Sequence, residues 1–244
     1  MKNFLQWFRS ILFTIVFYLT TLFLSIIFIP TLLMPRKYAM LFPILWAKIT
    51  PKLLYAICGI KVVFKGLENL PQKNGYILAC KHQSAMETSL FHAIVPHTFY
   101  VLKFELLFIP IAGFYIPKTG CVAINRKGGA SAMRKMLVDV QKNLNQGMNL
   151  IIFPEGTRVK PEENKPYNPG VALLYEQCQA PIIPVALNTG YCWPKNQMKK
   201  IPGTVTIEFL PPMPEGLHRR AFLTELQERI EEATAQLPHP YGDK

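Results

Sequence analysis

From Lys61 onward, short apolar runs alternate with stretches in which apolar residues recur every three or four positions. The short runs predict strands at 62–65, 76–80, 99–102, 121–125, 150–153, 182–186 and 205–209. The longer spacing predicts helices at 88–95, 130–145, 170–177 and 218–236. Gly147 and Pro238 stand where the second and fourth helices should stop. Strands that alternate with helices imply an α/β fold, with a largely parallel mixed sheet flanked by helices. Between these elements, 159–166 reads as a polar, proline-bounded loop and 188–203 as a long connection.

The pattern before Lys61 is different. No charge falls between Arg9 and Arg36, an interval of 26 residues. As one helix it would run about 39 Å, more than the roughly 30 Å of bilayer hydrocarbon. Pro30 should interrupt it, which leaves 10–29 as about one bilayer thickness. A secretory signal fits poorly, because the run is too long and no small-residue cleavage site follows. A second apolar stretch, 38–60, carries only Lys48 and Lys52, and Pro43 and Pro51 should divide it into a helix lying in the interface. Residues 1–60 are therefore expected to form an N-terminal membrane-embedded helical anchor, and 61–244 the α/β domain.

Composition sharpens this picture. Half the residues are hydrophobic, and 27 Lys and Arg face 15 Asp and Glu for a net charge of +12. Such a field favours anionic partners. Nucleic acid is the weaker choice among them, since no basic stripe with interleaved aromatics occurs. Five cysteines without a C-x-x-C pair read as reduced thiols rather than a disulfide frame or zinc site. Cys80, two residues before His82, reads as a small apolar strand residue, although a thiol nucleophile there is conceivable.

Chemistry gathers at the strand ends. "KHQSAMET" (81–88) places His82 five residues before Glu87, straight after a strand. Ser84 and Glu87 match a capping box, and a turn there would also let the carboxylate reach the imidazole. The local sequence allows either role. "FPEGTR" (153–158) ends a strand with a glycine for close backbone approach and an arginine whose planar fork suits phosphate. "GCVAINR" (120–126) and "VLKFEL" (101–106) put Arg126 and Lys103 near two further strand ends, where open α/β sheets bind ligands. No P-loop, dinucleotide fingerprint or H-E-x-x-H sequence is present.

In order and spacing, His82-x4-Glu87, 120–126, 153–158 and "APIIPV" (180–185) resemble the four blocks of the 1-acylglycerol-3-phosphate acyltransferases. The likeness covers about residues 60–210, and "YNPGVALLY" (167–175) adds to it. The resemblance implies transfer of a fatty acyl group from acyl-CoA or acyl carrier protein to the 2-hydroxyl of lysophosphatidic acid, in phospholipid biosynthesis. It implies His82 as general base with Glu87 as partner, where the family more often has Asp. Lys103, Arg126 and Arg158 would bind the substrate phosphate, and Glu155, Gly156 and Thr157 would line the acceptor site. No metal or cofactor is implied. The partners would be the thioester donor, lysophosphatidic acid and the bilayer, with no nucleic acid. The expected location is a bacterial inner membrane, with the catalytic domain on the cytoplasmic side. Two alternatives are another lysophospholipid or lipid-A-type acceptor, and a non-catalytic membrane lipid-binding protein.

Overall fold

The computed structural model describes residues 2–125 and 128–242. Strands Ile60–Lys65 (β1), Ile77–Cys80 (β2), Thr98–Lys103 (β3), Val122–Ile124 (β4), Asn149–Ile152 (β5), Ile182–Leu187 (β6) and Gly203–Phe209 (β7) form one sheet. Its order is β1-β7-β6-β2-β5-β3-β4. Neighbours are parallel except β6 and β7, so five strands point their carboxyl ends to the same edge. The expected mixed, largely parallel sheet is present.

Both faces of the sheet are covered, and the strands show why. In β2, Ile77 and Ala79 join Leu150 and Ile182 in one core cluster, while Leu78 and Cys80 join Ile151 and Ile183 in another. That alternation is the two-residue period of a strand, with apolar residues on both faces. Helices Gly129–Asn145 (α6), Pro169–Cys178 (α7) and Arg219–Gln236 (α9) cover the first face through Met136, Val140, Leu174, Phe222 and Leu226. The second is covered by Leu54, Cys58, Leu90 and Phe91, and by Phe13 of the first helix.

That first helix, Lys2–Ile27 (α1), ends three residues before Pro30, which enters a 3₁₀ turn at Ile29–Leu33. Arg36–Ala39 (α2) and Leu41–Leu53 (α3) follow. The expected break at Pro43 does not occur. It sits in the first turn of α3, where a backbone N–H has no intrahelical acceptor to lose. Pro51 lies inside the helix, which runs on through it to Leu53 and into the π turn Leu54–Cys58. Asn3–Ile27 and Arg36–Cys58 are each long and apolar enough to cross a membrane. Phe4, Phe8, Leu19 and Phe23 of α1 are exposed, whereas Phe13 is fully buried edge-on to Trp193 at 5.3 Å.

Candidate active site

β2 leads straight into the site. The Lys81 N–H donates to the Val185 carbonyl at 3.0 Å, continuing the ladder one residue past the strand. The chain then turns through His82–Ala85 into the short helix Met86–Leu90 (α4). Glu87 holds this turn. Its carboxylate accepts from the N–H groups of Ser84 at 2.8 Å and Gln83 at 3.2 Å. One half of the capping box therefore forms as expected. The other half is altered, because the Ser84 hydroxyl accepts from the N–H of Met86 at 3.1 Å rather than from that of Glu87.

The same carboxylate reaches the histidine. Glu87 Oε2 lies 3.4 Å from His82 Nδ1, within ion-pair distance. The approach is oblique, so Nδ1 has no well-aligned hydrogen bond among the described residues. Phe153 stacks on the imidazole with ring centroids 3.9 Å apart and planes 16° apart, which restricts its rotation. A fully buried Thr189, in the turn of helix Thr189–Cys192 (α8) after β6, donates its hydroxyl to Glu87 Oε1. With Nδ1 facing the carboxylate, Nε2 is left to exchange a proton with a group in the adjoining cavity.

Behind the turn lies a buried ionic cluster. Lys81 is fully buried, and its ammonium donates to both Glu231 oxygens at 2.5 Å. Tyr167 donates its hydroxyl to the same carboxylate at 3.1 Å. Glu155 Oε1 is 3.8 Å from Lys81 Nζ and accepts the His82 N–H at 3.3 Å. Burial lifts the Glu155 carboxyl from 4.5 to about 7, against the opposing pull of its hydrogen bonds and Lys81. Glu155 is buried and is not among the residues that line the cavity. Cys80 is also buried. Desolvation first, and the Glu87 and Glu155 carboxylates next, hold its thiol well above the ordinary range, so it is an apolar strand residue and not a nucleophile.

In front of His82 opens a cavity of about 690 Å³. Lys103 at the end of β3, Gly156, Thr157 and Arg158 after β5, and Lys195 line it with His82. Gly156 has φ 67° and closes a turn by donating its N–H to the Phe153 carbonyl at 2.9 Å, which an L side chain there would strain. The remaining wall is mostly apolar, from Leu102, Leu106, Ile124, Met133, Met136 and Ile152. No Asp or Glu lines it among the described residues. Such a space accepts an anionic group joined to a long apolar one.

These features coincide with a known family. Its acyltransferase model matches residues 61–188, from β1 to the end of β6. The chain belongs to the acyltransferase family. It is 34% identical to the 1-acyl-sn-glycerol-3-phosphate acyltransferase of Pseudomonas aeruginosa, over 76% of this chain and 72% of that protein. It is 30% identical to the alpha form of the human enzyme of that name, over 65% of this chain but 57% of that protein. The fold matches the crystal structure of the 1-acyl-sn-glycerophosphate (LPA) acyltransferase PlsC from Thermotoga maritima with a TM-score of 0.80. That match covers 97% of this chain and 99% of the other at 21% identity.

In this acyltransferase the fold brings His82, Glu87, Lys103, Gly156, Thr157 and Arg158 to one sheet edge, while Arg126 lies outside the described residues. Lys195, Thr189, Lys81 and Glu231 were not expected there. Lys195 sits in the connection read as a plain loop. The Lys81–Glu231 and Glu87–Thr189 contacts span 150 and 102 residues, so no local pattern announces them.

Proposed function

We propose that this acyltransferase moves a fatty acyl group from a thioester, on coenzyme A or acyl carrier protein, to the 2-hydroxyl of lysophosphatidic acid, giving phosphatidic acid. The observation that carries the reading is a cavity with three cations, an apolar wall, no acid among its described residues, and His82 on its surface. Lys103, Arg158 and Lys195 receive the phosphate, and Arg126 belongs with them by its motif. His82 takes the hydroxyl proton, the oxygen attacks the thioester carbonyl, and the carbon–sulfur bond breaks to release the thiolate. Glu87 stabilises the imidazolium that forms. Held by its phosphate, the acceptor presents its hydroxyl to the base, which is an orientation effect. Residues 1–60 form the membrane anchor and 61–244 the catalytic domain, on the cytoplasmic side of a bacterial inner membrane. The names of the relatives support the choice of acceptor.

Thiol release from acyl-CoA, measured with lysophosphatidic acid, with the phosphate-free monoacylglycerol and with no acceptor, tests the reading. Release should require the phosphorylated acceptor. Arg158→Lys, which keeps charge but loses the fork, should raise the KM for that acceptor about tenfold. Equal release with monoacylglycerol would refute the phosphate pocket.

A further inference from the structure

Among the described residues beyond 60, nine large hydrophobic side chains are exposed, and five of them, Phe104, Leu106, Phe108, Ile109 and Phe114, fall in one short segment. Scattered exposed apolar residues are ordinary on any protein, but a contiguous group marks an interaction surface. Phe108 and Phe114 are 73% and 70% exposed. Lys103 and Glu105 stand at the start of the segment, and 106–114 carries no charge.

The segment is built rather than loose. The 3₁₀ turn Phe104–Phe108 is joined to helix Ala112–Lys118 (α5) through Ile111, whose φ of 61° is rare for a β-branched residue. Gly113 is folded so closely that a Cβ would lie 2.1 Å from the Leu107 carbonyl oxygen. A strained, tightly packed backbone therefore holds two phenylalanines outward. Its base is fixed to the N-terminal helices: Tyr115 donates its hydroxyl to the Ser25 carbonyl at 2.8 Å and packs on Phe42 at 4.5 Å. Ile111, Phe28 and Leu32 all pack against the buried cluster of Leu24, Phe42 and Tyr115, and close by in the chain Ile29, Leu33 and Met34 are exposed. Charge follows the same division. Residues 1–138 hold sixteen Lys and Arg against three acids, and the remainder eleven against twelve. Lys103 and Leu106, at the start of the segment, also line the cavity.

We propose that residues 104–114 are a second bilayer-inserting element, which seats the cavity mouth on an anionic lipid surface. The proposal rests on the reading that the N-terminal helices bind a membrane. Full-length protein carrying a nitroxide at Phe108→Cys, Phe114→Cys or, as control, the exposed Val138→Cys is bound to phosphatidylcholine–phosphatidylglycerol vesicles. Unsubstituted protein treated with the label serves as blank, since four native cysteines are buried and Cys121 partly so. Labels at 108 and 114 should be relaxed by oxygen more than by an aqueous nickel chelate, and the label at 138 the reverse. Equal access of the chelate to all three positions would overturn the proposal, as would failure of the full-length chain to bind vesicles. In a second arm, Phe108→Ser with Phe114→Ser should lower kcat/KM for a long-chain acceptor in vesicles by at least about tenfold, the lower bound expected for losing one buried phenylalanine. A short-chain, water-soluble acceptor should be used as before, and an equal loss on both acceptors would overturn the idea. The label readings do not depend on acyl transfer, so failure of the functional reading and failure of this one are separate results.

Discussion

His82 divides two regions of opposite character. In front, Lys103, Arg158 and Lys195 line the cavity and make no ion pair among the described residues. Behind, Glu87 and Glu155 are buried and Glu231 is nearly so, and each is engaged by a hydroxyl, backbone N–H groups or Lys81. The difference follows from solvation. A cation at a wet cavity wall can wait unpaired for its ligand, whereas a carboxylate out of water must be satisfied within the protein. The front therefore governs affinity for an anion, and the rear governs the placement of the imidazole and the stability of the fold.

The largest expected effect lies in the rear. Lys81→Met strands Glu231 and Glu155 without their cation and should destabilise the protein by about 3–5 kcal/mol in thermal unfolding. Lys103→Met, in front, should change stability by less than about 0.5 kcal/mol. Lys81→Met combined with Glu231→Leu should recover part of the loss, since it removes the closer of the two carboxylates and leaves only Glu155, whose burial already favours the protonated form, without the cation. If the two lysine variants unfold alike, the contrast between the regions is wrong.

A smaller effect concerns pH. The Glu155 carboxyl titrates at about 7 in the folded chain against an ordinary 4.5. A folded value above the unfolded one stabilises the protonated form. The contribution is full below the unfolded value and is lost as pH rises through the folded value. Melting temperature should therefore fall between about pH 5 and pH 8, by the equivalent of up to about 3 kcal/mol, and Glu155→Gln should flatten the slope. Parallel slopes for the two proteins would mean that Glu155 is solvated and charged throughout.

What the sequence made legible follows the same division. Every strand of the sheet was marked by an apolar run bounded by turn residues, and each lies within about two residues of its expected ends. His82, Lys103 and Arg158 could be read because strand ends at one sheet edge converge by topology. The prolines misled, because Pro43 stands in the first helical turn, where no intrahelical hydrogen bond is lost, and the helix runs on through Pro51. α5 was missed, since its AGFYIPK sequence, with Pro110 before it and Pro117 within, has too little helical period to register. The rear cluster stayed hidden for another reason. Lys81 reads as one more surface charge until α9 delivers Glu231 to it, and Thr189 reads as a loop residue until β6 sets it beside Glu87.

Glu87 serves either the helix alone or the helix and the histidine together, and one substitution separates the roles. Glu87→Gln retains an oxygen that can accept from Ser84 and Gln83, so the turn into α4 should persist. It loses the negative charge 3.4 Å from Nδ1 that would stabilise an imidazolium. The measurement is a melting curve beside initial rates of thiol release, for wild type and Glu87→Gln at saturating lysophosphatidic acid. For Glu87→Gln the melting temperature should stay close to wild type while kcat falls at least about tenfold. Wild-type kcat in a stably folded Glu87→Gln protein would contradict it and reduce Glu87 to a cap.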